Sequence, residues 1–448
     1  MFPMTLYADL HIHSKYARAT SISMDLEHLE QGAKEKGLGL IGTGDFTHPK
    51  WFAELKQKLE PDSERNGFFA LKNSASPARF MLQVEVATFK STPKKVRKVH
   101  HVICVPSIEE AAQLIDVYSK WGNLVADGRP MFGSRSSAEL VEKTMQAVPN
   151  AVVFPAHIWT PYFGALGSES GFDSIQEAYE DQSKHVFCYE TGMSADPAMC
   201  WRVSSLDAFT PVSFSDSHSH WPWRLGRECT AFSDDVRSFT QLWDAVRRKD
   251  RKKMLFTIET DPAYGKYHWD GHRACNFSCP PEESRKINRI CPKCNSRLTI
   301  GVEYRVEELA DRPQGFTPSE AIPFKKLLPL HELFSAAYAT SLSSKKVMTD
   351  GNALVRRFGS ELAVLLDAQK QALDEATNEK ITQAILLNRE GRIFVQPGYD
   401  GEYGVPQLPR AAMIAESKEN NADKTLSATV KTETAVQPQI RQKRLKDW

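Results

Sequence analysis

Near the start of the 448-residue chain, Asp9-Leu-His11-Ile-His13-Ser14 follows the apolar run Leu6-Tyr7-Ala8. Successive side chains on a strand point to opposite faces, so His11 and His13 share one. Two imidazoles side by side at a strand end make half of a metal site. Taken alone, a pair of polar strand-end histidines is the simpler account. The rest of the chain changes that balance. Asp45 and His48 stand in Gly42-Thr-Gly-Asp45-Phe-Thr-His48, Glu85 in Gln83-Val-Glu85, and His100-His101 before Val-Ile-Cys-Val. His157 ends Pro155-Ala-His157, Glu190 follows Tyr189, and Asp216 and His218 share Ser215-Asp216-Ser-His218. A nitrogen and oxygen donor set without cysteine suits Zn²⁺, Mn²⁺ or Fe²⁺. More than six such donors imply two or three ions, and clustered ions suit phosphoester hydrolysis.

These residues need elements to carry them. Short apolar runs at 6–12, 38–42, 80–86, 99–105, 151–154, 186–189 and 212–214 alternate with amphipathic segments at 25–36, 109–120, 138–147 and 174–182. Such alternation predicts parallel strands with right-handed crossovers. Seven units without a nucleotide-binding glycine fingerprint favour a closed (β/α) barrel, whose site lies at the carboxyl ends of the strands. The composition is that of an ordinary globular chain with net charge +1. No apolar run approaches the roughly 20 residues that cross a bilayer. The opening residues carry no signal-peptide pattern, and a cytoplasmic, nucleoid-associated location is expected.

Four of the eight cysteines lie together as Cys275-x3-Cys279-x11-Cys291-x2-Cys294. This spacing predicts a four-cysteine zinc module that stabilises a segment with little core of its own, with His268 or His272 as alternative ligands. The remaining cysteines sit in apolar surroundings, as buried thiols do in a reducing compartment. Between residues 245 and 297 there are thirteen Lys and Arg against six Asp and Glu, which suits a polyanionic partner. Aromatic loops follow His157 (Trp159, Tyr162) and His218 (Trp221, Arg224, Arg227); with Lys252 they are candidate DNA contacts, while packing over the site accounts for any single ring. From 319 to about 375 the apolar spacing is helical. A glycine-rich loop then runs from Pro397 to Gly404 with no helix after it; its aromatic residues are candidate DNA contacts, while a structural turn is the simpler account.

In order, the HxH pair, the Gly-Asp turn, the lone Glu, the later histidines and the Asp-x-His motif resemble the polymerase and histidinol phosphatase (PHP) domain. The resemblance implies a distorted seven-stranded barrel with a trinuclear metal centre held by His11, His13, Asp45, Glu85, His101, His157, Asp216 and His218. Of the adjacent pair, His101 is taken because the apolar run begins directly after it, as in the family; Asp216 also serves as a candidate catalytic residue. Phe46 stands where many members have histidine, and Lys15 to Thr20 replaces a loop that elsewhere supplies a ligand, so His48 and the third ion stay open.

The barrel is followed by Asp270-Gly-His272, the cysteine module, Leu298-Thr-Ile-Gly301 and Glu308-Leu-Ala-Asp311-Arg-Pro, then a helical segment. This series resembles the endonuclease Q family. That resemblance implies a repair nuclease cutting 5′ of deaminated bases (uracil, hypoxanthine, xanthine) and abasic sites in DNA, with zinc in the module and Zn²⁺, Mg²⁺ or Mn²⁺ at the catalytic centre. A PHP phosphatase acting on a small phosphomonoester is the alternative. The expected organisation is a barrel over 1–255, a zinc module over 256–312, a mainly helical DNA-binding domain over 313–412 and a disordered tail over 413–448. Gln442-Lys-Arg-Leu445-Lys-Asp-Trp448 is similar to a sliding-clamp-binding peptide; a plain basic tail is the simpler account.

Overall fold

The computed structural model describes residues 5–409 except Lys94 and Asp127. The proposed clamp peptide and the expected tail lie outside the described residues. In chain order the first twelve strands are β1 (Thr5–Asp9), β2 (Leu40–Gly42), β3 (Leu59–Pro61), β4 (Phe69–Leu71), β5 (Arg79–Ser91), β6 (Val96–Val105), β7 (Met131–Gly133), β8 (Val152–Pro155), β9 (Cys188–Glu190), β10 (Thr210–Val212), β11 (Cys229–Ser233) and β12 (Met254–Glu259). Each of the seven apolar runs read from the sequence overlaps one of them. The fold is mixed α/β, with an eleven-stranded sheet and a separate parallel pair, β9–β10.

The pairing corrects the expectation of parallel units throughout. β1–β2 and β2–β5 are parallel, but β5–β6, β6–β8, β1–β11 and β11–β12 are antiparallel. The reason is chain length. Parallel neighbours need a crossover of a dozen or more residues, and only four residues separate Ser91 from Val96. β5 and β6 therefore form a long hairpin. β11 and β12, which the motif reading overlooked, pair beside β1.

The helices around the sheet carry strong local signals. Leu26–Lys36 begins at Asp25, whose carboxylate accepts from His28 N, and ends at Gly37, whose φ of 98° completes a left-handed cap. Lys36, in its last turn, is buried and reaches Glu361 of the C-terminal region, with Nζ 2.7 Å from Oε1. That region holds the helices Leu330–Tyr338, Lys345–Phe358, Lys370–Ala376 and Glu379–Arg389. Their apolar faces join Leu29, Ala33 and Leu38 in one continuous core.

The glycine-rich loop folds back onto residues 263–269. Gly398 N donates to Ala263 O, Gly404 N to Tyr264 O, and Trp269 N to Gly398 O. A Cβ on Gly398 would sit 2.4 Å from Gly265 O, so only glycine fits there. No described helix is long and apolar enough to cross a membrane.

Candidate metal centre

The chain beyond β1 remains extended, and Ile12 bridges Ser217 with His13 N donating to Ser217 O at 3.0 Å. This contact brings the first and last motifs together. Ile12 points into the core while His11 and His13 face the site, all three buried. Behind each histidine stands a carboxylate. His13 Nδ1 lies 3.0 Å from Asp45 Oδ1, and His11 Nδ1 lies 2.9 Å from Glu190 Oε2. An Nδ1–H donated to a carboxylate leaves the Nε2 lone pair free for a metal. The His11 Nε2 atom is fully buried and has no hydrogen-bond partner; it lies 3.7 Å from Glu85 and 3.6 Å from Asp216. A buried nitrogen without a hydrogen-bond partner, close to two carboxylates, is a donor arrangement that a cation would satisfy.

Asp45 is placed by backbone geometry. Gly44, at φ 66°, lies so close to the His13–Ser14 peptide that a Cβ would stand 2.9 Å from Ser14 N. Asp45 Oδ2 then accepts from Ser14 N at 2.6 Å and Ser14 Oγ at 2.7 Å. With its oxygens committed to Ser14 and to His13 Nδ1, Asp45 orients a ligand. Asp45, expected from the sequence as a ligand, stands behind His13 and is not among the residues whose donor atoms converge in this structure.

The β5–β6 register decides between the adjacent histidines. Ala87 is paired with His100 and Val86 with His101. Glu85 shares a face with Ala87, so His100 joins it. His100 Nδ1 lies 2.7 Å from Glu85 Oε1, and His157 Nε2 lies 3.3 Å from the same oxygen. His101 points the other way, with its ring nitrogens 2.7 Å from Tyr179 Oη and 2.9 Å from Thr88 Oγ1. In this structure His100, and not the expected His101, joins the converging donor atoms.

Three groups of donor atoms are close enough to hold an ion each: His11, His13 and Glu85; His13, Asp216 and His218; and Glu85, His100 and His157. His13 and Glu85 are each shared, so the set fits two or three clustered ions. His48 precedes the helix Pro49–Lys58 without a side-chain capping bond, stacks on Tyr16 at 4.3 Å and belongs to none of these groups. Lys15 and Tyr16, in the loop where a further ligand was sought, bind Glu54 instead. Asp45, His157 and Asp216 have φ of 42°, 29° and 47°, a left-handed backbone that non-glycine residues adopt at a cost.

The electrostatics match a cation site. Burial alone would depress the His11 imidazole, but the charges of Glu190, Asp216 and Glu85 raise it to about 9. Burial would likewise raise Asp216, yet His11 and His13 hold it well below the usual carboxylate range. His101, desolvated and beside His100, falls to about 3 and stays neutral.

One residue that sequence reasoning missed enters here. Arg129 Nη1 lies 2.9 Å from Glu85 Oε2; no motif marks it, because it comes from a loop between a helix and β7. A cavity of about 210 Å³ adjoins the cluster, with His157, Asp216 and His218 on one side and Arg227, Lys266 and Tyr403 on the other.

The other candidate contacts divide. Tyr162 and Trp221 are exposed, and Trp221 stacks on Trp223 with centroids 5.1 Å apart. Lys252 is exposed in the turn before β12. Trp159 is buried with Nε1 3.2 Å from Cys200 Sγ, so it packs beneath the site and offers no face to a ligand. Arg224 pairs with Glu332 and lies over the Tyr403 ring. Arg227 is buried and donates through Nε and Nη2 to Ser215 O, which makes it a cavity wall and not a surface contact.

The cysteine module also differs from expectation. His272, Cys275, Cys291 and Cys294 converge, while Cys279 is buried in a small core with Cys291 and Leu298. The strand Asp270–His272 pairs antiparallel with Phe277–Cys279, matching Asp270 with Cys279 and His272 with Phe277. The four donors that converge in this structure are therefore three cysteines and one histidine, with Cys279 outside the group, where four cysteines were expected. Both sets fit a closed tetrahedral zinc site.

A mixed α/β frame that gathers histidines and carboxylates into three adjoining cation-sized groups defines a candidate multinuclear metalloprotein. Comparison with known proteins sharpens this class. The structure resembles the lesion-specific endonuclease PfuEndoQ of Pyrococcus furiosus at a TM-score of 0.80 and 29% identity, over 94% of this chain and all of that one. It resembles an endonuclease Q bound to a 27-mer duplex with an abasic lesion at its active site at a TM-score of 0.82 and 29% identity, over 93% of this chain and all of that one. The resemblance to the endonuclease Q family read from the sequence thus holds for the structure over nearly its whole length.

Residues 329–392 match the family described as the MJ0043 C-terminal domain. The uncharacterized protein MJ0043 of Methanocaldococcus jannaschii is 33% identical over 238 residues; the match takes in 52% of this chain, which spans only 29% of that relative. The uncharacterized protein YqxK of Bacillus subtilis is 24% identical over 414 residues, 89% of this chain and 98% of its own.

Proposed function

We propose that the chain is a metal-dependent DNA repair endonuclease of the PHP type. It hydrolyses the phosphodiester 5′ of deaminated bases and abasic sites, leaving 3′-hydroxyl and 5′-phosphate ends, in the cytoplasm. The observation that carries this reading is the joint presence of three adjoining donor groups and a whole-length likeness to an endonuclease Q bound to a duplex with an abasic lesion. His11, His13, Glu85, His100, His157, Asp216 and His218 would hold the ions, Zn²⁺, Mn²⁺ or Mg²⁺, and His272, Cys275, Cys291 and Cys294 a structural zinc. Bound ions would supply Lewis acidity toward the phosphodiester.

The protein's own groups do the rest. Asp45 and Glu190 fix the Nδ1 protons of His13 and His11, which keeps both Nε2 atoms turned inward. Thr160 Oγ1, 2.8 Å from His157 Nδ1, does the same for His157. The cavity beside Asp216 and His218 takes the extruded nucleotide, and the exposed Tyr162 and Trp221 stack on the unpaired strand. We read the strands as a distorted seven-stranded barrel over 1–255, with the zinc module to 312 and the helical region to 412 gripping the duplex.

The test uses end-labelled duplexes carrying one uracil, one hypoxanthine, one abasic site or no lesion, with Mg²⁺ or Mn²⁺, beside a generic phosphomonoester. Asp216→Asn is the control, since asparagine tolerates the left-handed backbone at that position. A single metal-dependent cut 5′ of the lesion, absent in the variant, is expected. Intact DNA with phosphate released from the monoester would assign the chain to the phosphatases instead.

A further inference from the structure

Arg129 is held in an unusual place. Pro130 O accepts from Ala87 N at 2.9 Å, and β7 pairs in parallel with β5 through Ala87 and Met131. On the other side, Gly128 at φ 63° packs so tightly on Ala17 that a Cβ would stand 2.7 Å from its Cα. The turn is thus clamped from both sides, two residues along β5 from Glu85. Arg129 touches Glu85 through one nitrogen only, Nη1 to Oε2. Its Nε and Nη2 make no hydrogen bond among the described residues, and its side chain is 30% exposed at the mouth of the cluster. Of the other cations nearby, Arg224 is engaged on Glu332 and Lys266 over the Tyr403 ring, while Arg227 is buried in the cavity wall, donating to Ser215 O through Nε and Nη2 with Nη1 left without a hydrogen-bond partner among the described residues.

A guanidinium beside Glu85 competes with cations for the carboxylate that two donor groups share. Four carboxylates, Glu85, Asp216, Asp45 and Glu190, stand in or behind the ligand set, and two divalent ions would already balance them. Arg129 then leaves the loaded site with surplus positive charge, which an anionic ligand relieves. Guanidinium forks match the oxygens of a phosphate, and the free Nε–Nη2 edge is such a fork. We propose that Arg129 is a phosphate-contacting catalytic residue, presenting its unpaired Nε–Nη2 edge to a non-bridging oxygen of the phosphoester drawn to the cluster. The proposal rests on the phosphoester reading above.

The experiment compares wild type, Arg129→Ala and Arg129→Lys, each loaded with Mn²⁺, by three readouts. These are metal content by mass spectrometry, binding of inorganic phosphate by calorimetry, and kcat/KM on the lesion duplex. Unchanged metal content is expected in all three. Phosphate should bind about ten- to a hundredfold more weakly to Arg129→Ala, the range for losing a charged hydrogen bond, with Arg129→Lys between the two and cleavage falling in the same order. Equal phosphate binding by wild type and Arg129→Ala would overturn the role of Arg129 while leaving the phosphoester reading intact. Loss of metal in both variants would make Arg129 a structural support of Glu85 and overturn it as well. Absence of phosphate binding by the wild type would overturn the phosphoester reading and Arg129's part in it together.

Discussion

Glu361→Gln tests how the C-terminal helices are held to the α/β body. Lys36 and Glu361 are 1% and 0% exposed, with Nζ and Oε1 2.7 Å apart, and Glu361 Oε1 also accepts from Leu330 N. Glutamine keeps the size of the side chain and a carbonyl for Leu330 N, removes the charge, and puts an amide nitrogen in place of Oε2, which lies 3.8 Å from His331 Nδ1. Lys36 is then left buried and uncompensated, which costs about 3–5 kcal/mol. With an unfolding entropy of about 2.1 cal/mol/K per residue over roughly 400 residues, that loss lowers Tm by about 4–6 °C. Calorimetry and urea midpoints on wild type, Glu361→Gln, Lys36→Met and the double variant read it. The double variant, with no buried charge left, should regain most of the loss, because the pair's mutual attraction mainly repays its own desolvation.

The pH dependence has a fixed sign. Burial would raise the Glu361 carboxyl, but Lys36 and His331 hold it below its ordinary 4.5. Its contribution is therefore complete above about pH 4.5 and fades as pH falls through the lower folded value. A Glu361→Gln cost under about 1 kcal/mol, or a double variant worse than either single one, would refute the argument.

Three further outcomes follow from the site. His100→Ala should lower the metal content and abolish cutting, whereas His101→Ala should keep metal and activity and lose about 1–3 kcal/mol for the partners it strands on Tyr179 and Thr88; mass spectrometry and urea unfolding separate them. His272→Ala should release the module's zinc to a colorimetric chelator, and Cys279→Ala should retain it, changing only stability. Because His11 is raised to about 9, the metal-free site holds a proton there at pH 7 that a ligand must give up. Metal affinity should rise with pH toward 9, and calorimetry in buffers of different ionisation enthalpy should detect protons released; no release at pH 7 would contradict the assigned geometry.

What could be read from the sequence depended on the range of the interactions involved. His11-x-His13 and Asp216-x-His218 are local patterns, and strand alternation alone puts each pair on one face. The seven apolar runs were legible for the same reason. The choice between His100 and His101 was not, because it is set by the pairing of Ala87 with His100 across a hairpin. Asp45 and Glu190 were recognisable as carboxylates at strand ends, but standing behind a histidine instead of beside it is a tertiary fact. Cys279 fitted the cysteine spacing and was displaced by its direction into the core with Leu298. Arg129 gave no signal, since a lone arginine on a loop acquires meaning only from the strand it is pinned against.

The returning loop at 397–404 gives the site an order in time. Every donor of the three histidine–carboxylate groups precedes residue 220, while Tyr403, which walls the cavity, is made roughly 190 residues later; at about 5–20 residues per second that interval lasts about 10–40 s. During it the donors on a growing chain face an open rim, so ions can enter before the wall is in place. Discrimination among ligands, which depends on that wall, arrives last. A chain cut short before the loop would keep its metal donors and lose its selectivity.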